Sequence, residues 1–201
     1  MCYHTQLTLP AEALERRFAA AFVDPSAFEP SAHFNGFEHP LTPIVAWDAP
    51  ERIVMARWGL IPHWAKNPDI GRSTLNARVE TLGERPAFRD AAHRRCLVLV
   101  DGFYEWQWLD PKGKRKQRYR IRLPDGAAFA LCGIVSDWMD PTAGVRRRTY
   151  AILTTEADEL MSQIHNSRRR MPLAMPPGFE SLWLEGAVER RQPMSWIAEQ
   201  A

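Results

Sequence analysis

Between residues 95 and 155 the chain is a succession of apolar, β-branched and aromatic runs separated by short polar breaks: RCLVLVDG (95–102), FYEWQW (103–108), QRYRIRL (117–123), AAFALCGIV (127–135) and RTYAILTT (148–155). Such runs suit pleated strands. Because helices do not alternate with them regularly, the pattern predicts an α+β fold with a mostly antiparallel, barrel-like sheet and peripheral helices. IVAW (44–47) and RIVMARW (52–58) add two strands joined by a turn at Asp48 to Glu51, and Lys112 to Lys116 reads as a hairpin connection. Helices are predicted over 11–22 after Pro10, over 85–94, over 156–165 following Thr155, and over 178–184, while the Pro-rich stretch 23–43 reads as an irregular connection. With 201 residues, 45% of them hydrophobic, and no internal repeat, the expectation is one domain, 1–201, around one core.

The three cysteines, Cys2, Cys96 and Cys132, form no C-x-x-C pair and have no nearby histidine at ligand spacing, which speaks against a disulfide framework or a zinc site. No leader-like start and no apolar run of membrane-spanning length is present, so a cytoplasmic protein without a membrane partner is expected. The net charge is only +2, but basic residues cluster in KGKRKQRYRIR (112–122), Arg146–Arg148 and Arg168–Arg170. On one face they would contact phosphates; apart, they are solvated strand edges.

Four short segments carry groups suited to chemistry. If Met1 is removed, Cys2 becomes the first residue and offers an amine and a thiol that both reach nucleophilic form near neutral pH. Such a 1,2-aminothiol condenses with an aldehyde to an imine and closes a thiazolidine; taken alone, a cysteine at position 2 is equally what an incidental residue would look like. In LNARVE (75–80) a strand would put Asn76 and Arg78 on one face and Leu75, Ala77 and Val79 on the other, presenting an amide and a guanidinium suited to a sugar-phosphate. In VDGFYEW (100–106) Phe103 and Glu105 would point one way, and aromatics around Glu105 would disfavour its charged form, tuning it for proton transfer. In QIHNSRRRMP (163–172) His165 ends a predicted helix, whose negative end would favour an imidazolium. Each of the last three also has a plain structural reading, as a hydrogen-bonded surface strand, an edge glutamate paired with an arginine, and a basic helix end.

The terminal Met-Cys-Tyr, LNARVE, DGFYEW and IHNSRRRMP, in this order and at these separations, resemble the SOS response-associated peptidase (SRAP) family of abasic-site processing proteins, and WGLIPHW (58–64) and LCGIVSDW (131–138) resemble its aromatic-bearing segments. The resemblance spans nearly the whole chain. It implies a β-rich domain whose active site surrounds Cys2 at the mouth of a basic groove for single-stranded DNA. In that picture Cys2 is the nucleophile, Asn76 positions the terminus and the opened sugar, Glu105 is the acid-base group and His165 assists imine chemistry. Arg78, Arg168, Arg169 and Arg170 would contact phosphates, and Trp64 would stack near the lesion. The resemblance further implies a thiazolidine cross-link to a ring-opened abasic site, peptidase-like self-processing, lyase activity, no cofactor or metal, action as a monomer and, in a bacterium, association with the nucleoid.

The chain departs from the family where Tyr3 and His4 follow the cysteine in place of the Gly and Arg of many relatives. HFNGFEHPLTP (33–43) also stands where an Asn-Val-Ala-Pro turn is usual, and Asn-Ser-Arg-Arg-Arg follows the histidine in place of a short Asp-Arg form. These departures bear on DNA contacts more than on Cys2. Two other classes remain open at this point: an N-terminal-cysteine amidohydrolase, in which the α-amine serves as base for its own thiol, and a non-enzymatic strand-binding barrel, which would bind in a salt-sensitive way without forming an adduct.

Overall fold

A computed structural model describes residues 2–187 and 194–201; Met1, whose removal is expected above, lies outside them. In chain order the elements are β1 (His4–Leu7), α1 (Ala11–Phe18), β2 (Ala21–Phe22), β3 (Ser31–Asn35), β4 (Leu41–Ala46), β5 (Ala49–Trp58), β6 (Asn76–Arg78), β7 (Arg95–Val100), β8 (Gly102–Trp108), β9 (Lys116–Arg122), β10 (Phe129–Asp140), β11 (Val145–Glu156), α2 (Glu159–Ile164), β12 (Arg170–Pro172), β13 (Ala174–Met175), α3 (Glu180–Leu184) and β14 (Ile197–Gln200).

The pairing confirms the α+β, barrel-like expectation. Strands β11, β10, β7, β4 and β5 pair antiparallel in that order, and a parallel contact of Thr149–Tyr150 with Arg57–Trp58 joins β5 back to β11, closing a five-stranded ring. Closure leaves these strands without open edges. A second sheet has the order β14-β9-β8-β1-β3. Residues alternate between two cores: Cys96, Val98 and Val100 of β7 face a cluster with Trp58, Tyr150, Phe103, Ile121 and Cys2, whereas Leu97 and Leu99 face a cluster with Leu14 of α1 and Trp183 of α3. Burial on both faces explains why CLVLV is an unbroken apolar run rather than an alternating one.

Several boundaries differ from the sequence expectation, each for a tertiary reason. Helix α1 stops at Phe18, where Ala19 takes a left-handed conformation and donates its N–H to Glu15, and Ala21–Phe22 pairs with β5 instead of continuing the helix. The 85–94 helix reduces to a single 3-10 turn at Arg89–Ala91. Helix α2 begins only after Asp158, whose carboxylate caps Met161 N at 2.8 Å, because Thr154–Glu156 are held in pairing with β12. The stretch 23–43 contains β3 and the first residues of β4. Among the described residues no helix is long and apolar enough to cross a membrane.

Candidate active site around Cys2

Strand β1 lies between β8 and β3, and this places Cys2, two residues before it, against the core. Two hydrogen bonds fix the segment: Gly36 N–H donates to the Tyr3 carbonyl at 2.8 Å, and Asn76 Nδ2 donates to the Cys2 carbonyl at 2.8 Å. Gly36 leaves little room at its position, since a Cβ there would lie 3.2 Å from both the Trp58 ring and the Tyr3 carbonyl. Asn76 comes from β6, held parallel to β11 opposite Ile152, and its Oδ1 is buried with no partner among the described residues. As the alternation predicts, Leu75 and Ala77 are buried while Arg78, two residues from Asn76, is exposed.

The Cys2 side chain is fully buried, and burial, reinforced by the nearby Glu105 charge, pushes its thiol far above the ordinary range. Glu105, 3% exposed, is pushed up to about 7 by burial, which leaves its carboxyl poised between acid and base near neutral pH. Phe103 shares its face of β8, as expected, and supplies the apolar surroundings.

His165 requires a correction. At the end of α2 it is buried, and burial pushes its pKa down to about 4, so the ring is neutral rather than the imidazolium expected from the helix end. A helix of six residues is a weak dipole, and desolvation outweighs it. Nδ1 lies 2.6 Å from the Arg170 carbonyl and 3.2 Å from the Arg170 N–H. The shorter contact requires a proton on Nδ1, which leaves Nε2 as the acceptor.

Glu105, His165 and Arg168 line one pocket of about 390 Å³ together with Tyr3, Lys116 and Trp108. The three successive arginines separate in role. Arg168 faces the pocket. Arg169 is exposed in a left-handed conformation with φ of 49°. Arg170 is spent internally, its guanidinium bonded to both Glu80 oxygens at 2.7 and 2.9 Å and to the Thr154 carbonyl at 2.6 Å. Trp64, 48% exposed, does not line this pocket; its loop is pinned by Trp138 Nε1, which donates to the Ala65 carbonyl at 2.6 Å. Arg146–Arg148 line a separate depression beside Arg57 and are ion-paired with Asp137, Asp140 and Asp48, so this basic cluster does not extend the pocket lined by Glu105 and His165.

Sequence reasoning did not single out Phe37 or Trp108, named Tyr3 only as a departure from the family, and placed Lys116 only within the 112–122 basic cluster. Tyr3 and the exposed Phe37 pack at 4.8 Å beside the terminus. The two-residue period of β8 and its hairpin with β9 could have flagged Trp108 opposite Lys116, whereas the Tyr3–Phe37 contact depends on β1–β3 pairing across the stretch read as irregular.

The pattern of the family described as SOS response associated peptidase (SRAP) matches residues 1–201. The abasic site processing protein YoqW of Bacillus subtilis is 39% identical over 164 residues, covering 81% of this chain and 70% of the relative. The abasic site processing protein HMCES of Gallus gallus is 34% identical over 177 residues, covering 75% of this chain and 51% of the relative. A crystal structure of a protein from Bacteroides thetaiotaomicron superposes with a TM-score of 0.84 at 30% identity, covering 93% of this chain and 82% of that one.

Proposed function

The chain belongs to the SOS response associated peptidase (SRAP) family, and on that premise we propose that it processes abasic sites in DNA by bonding the terminal Cys2 to the exposed sugar aldehyde. The observation that carries this reading is that Cys2, held by Asn76 and close enough to Glu105 to feel its charge, lies next in the chain to Tyr3, which lines one pocket with a half-protonated Glu105, a neutral His165, Arg168 and Lys116.

With Met1 removed, the freed Cys2 amine attacks the C1′ aldehyde of the ring-opened sugar. Neutral His165 accepts the amine proton at Nε2, and protonated Glu105 donates to the departing hydroxyl, releasing water and leaving an imine. The Cys2 thiol then transfers its proton to the Glu105 carboxylate, sulfur adds to C1′, and His165 returns its proton to the nitrogen, closing the thiazolidine. The sum is aldehyde plus aminothiol giving thiazolidine plus water. The high thiol pKa sets the order: sulfur stays protonated until the imine is in place, so the amine reacts first. Asn76 holds the Cys2 carbonyl with its amide N–H and offers Oδ1 to the amine or to a sugar hydroxyl. If the C2′ proton leaves before sulfur adds, elimination cuts the strand, which is the lyase branch. Removal of Met1 by the same Glu105–His165 pair is the peptidase-like step.

The DNA is single-stranded in this reading, because a buried Cys2 is reached only by a sugar already out of a duplex stack. Arg168, Arg169 and Arg78 contact flanking phosphates, and Trp64 stacks on a neighbouring base. The test is denaturing-gel and intact-mass analysis of the purified protein with a single strand carrying one abasic site, beside undamaged DNA and Cys2→Ala. A heat-stable adduct on protein lacking Met1, dependent on both lesion and Cys2, supports the reading. An adduct that persists in Cys2→Ala removes the nucleophile. No adduct despite Met1 removal favours amide hydrolysis or simple strand binding.

A further inference from the structure

Strand β8 runs on past the strand beside it. Among the described residues β1 pairs only with Gly102–Tyr104, so from Glu105 to Trp108 that edge of β8 has no strand against it, while β9 covers the other edge as far as Lys116 opposite Trp108. Leu109 N–H donates to the Arg115 carbonyl across the hairpin, and by the alternation of an antiparallel ladder the backbone groups of Trp106 and Trp108 then point to the open edge. Open edges leave N–H and C=O groups in need of partners. Here side chains meet them. Trp106 N–H donates to the Glu105 carboxyl. Trp108 N–H donates to Asn166 Oδ1 at 3.0 Å, and Asn166 Nδ2 donates to the Trp108 carbonyl at 2.9 Å.

The one amide of Asn166 thus does for Trp108 what a neighbouring strand would do. Asn166 directly follows His165 in the chain, and the His165 ring is fixed from its other side by the Arg170 backbone. Two residues back along the same edge from Trp108 is the Trp106 N–H that holds Glu105. Gln107 Nε2 adds a third bond between the two segments, donating to the Gln163 carbonyl of α2 at 3.1 Å. The tie also forms a partition. Trp108 and Ser167 line both the pocket that holds Glu105 and His165 and a second depression, of about 430 Å³, in which Asn166, Leu109 and Asp110 lie.

We propose that Asn166 is a positioning residue that sets the distance between Glu105 and His165, by pairing the open edge of β8, which carries the one, with the turn that carries the other. Imine formation needs both groups at a single carbon, and a misplacement of about 1 Å is enough to cost on the order of 100-fold in rate. The two Asn166 bonds are exposed to solvent, so they add little to overall stability and their effect is local. The inference rests on the abasic-site reading for the reaction itself, and adds to it the residue that joins the two proton-transfer groups.

The test compares Asn166→Ala with Arg17→Ala, which removes an ion pair to Glu180 and a bond to the Ala128 carbonyl, none of them lining the pocket. Adduct formation is timed across concentrations of a single strand carrying one abasic site, and the His165 imidazole is titrated by NMR in the absence of DNA. In Asn166→Ala the maximal rate should fall about 10-fold with the half-saturating concentration within about 2-fold of the original. The His165 midpoint should move up from about 4 toward the ordinary histidine value as water reaches the ring. Arg17→Ala should lower the melting temperature and leave both readings unchanged. The proposal fails if the maximal rate is unchanged, if the half-saturating concentration carries the loss, which would make Asn166 a DNA contact, or if the His165 midpoint stays at about 4. It fails equally if Arg17→Ala slows the reaction as much, which would make the effect one of stability. If the unaltered protein forms no lesion-dependent adduct and Asn166→Ala still raises the His165 midpoint, the positioning role stands and the abasic-site reading fails.

Discussion

The amide of Asn76 holds the carbonyl of Cys2 at 2.8 Å across a separation of 74 residues, so the position of the terminus is set by a strand from another sheet. That strand is itself seated by its parallel pairing with β11, which makes Asn76 a rigid reference point for the nucleophile. Asn76→Ala should slow adduct formation at least about 10-fold while costing only about 1 kcal/mol of stability, the usual worth of one hydrogen bond. Asn76→Asp should be worse, because a carboxylate has no N–H to donate and would face the Cys2 carbonyl oxygen. Gel-based adduct kinetics read beside thermal melting check both; an unchanged rate would remove Asn76 from the positioning role.

Glu105 and His165 make opposite contributions to stability over nearly the same pH range. Burial raises Glu105 from 4.5 to about 7, so the folded chain binds its proton more tightly than the unfolded chain does. The resulting stabilisation is full below about 4.5 and is lost as pH rises through about 7, a change on the order of 3 kcal/mol. Burial lowers His165 from 6.5 to about 4, so the unfolded chain binds that proton more tightly, and stability is present above about 6.5 and lost as pH falls through about 4. Between those limits the two slopes oppose each other. Glu105→Gln should therefore expose the histidine's slope, with melting temperature rising from pH 4.5 to 6.5, and His165→Gln should expose the glutamate's slope, with melting temperature falling from pH 4.5 to 7. Melting curves across pH for the three proteins decide this; identical profiles would mean that neither group is shifted by burial.

The barrel-like sheet was legible because its central strands are buried on both faces and therefore read as unbroken apolar runs, as CLVLV and ALCGIV do. Asn76 and Glu105 were legible through two-residue alternation, which needs only local geometry. The fate of His165 was not, since its ionisation depends on how deeply the 165–170 turn is buried, a tertiary quantity that no helix-end rule contains. The three arginines at 168–170 look equivalent in sequence, yet only a distant partner, Glu80, decides that Arg170 is used internally. Likewise β3 hides in a Pro-rich stretch because edge strands need few apolar residues, and with it went the His4–His33 and Tyr3–Phe37 contacts.

Arg78 and Arg170 should separate cleanly on substitution. Arg78 is exposed, so Arg78→Ala should leave stability within about 0.5 kcal/mol, weaken single-strand binding and lessen its salt slope by about 1. The Arg170 side chain is 13% exposed and bridges Glu80 to Thr154, beside the backbone carbonyl that fixes the His165 ring. Arg170→Ala should cost about 1–3 kcal/mol and slow adduct formation with little change in salt slope. Salt titrations of DNA binding beside urea unfolding distinguish the two; a salt-slope loss in Arg170→Ala would return it to the phosphate contacts.

Gly133 lies where β10 passes between β7 and β11, opposite Cys96 on one side and Ile152 on the other. A Cβ there would sit 2.8 Å from Cys96 Sγ and 2.9 Å from the Ala151 carbonyl, and the second contact is backbone that cannot rotate away. Gly133→Ala should therefore cost about 1–3 kcal/mol by overpacking, lowering the melting temperature by about 2–4 °C per kcal/mol in a chain of this size. Ile152 is also the partner of Asn76 in β6, so displacement of β11 reaches the residue that holds Cys2. Adduct formation at a temperature where the variant is fully folded should slow as well. Adding Cys96→Ala relieves the sulfur contact but not the carbonyl contact, and the double variant should recover only part of the stability and part of the rate. Full recovery of both would locate the strain in the side chain alone and break the proposed path from Gly133 through Ile152 to Asn76.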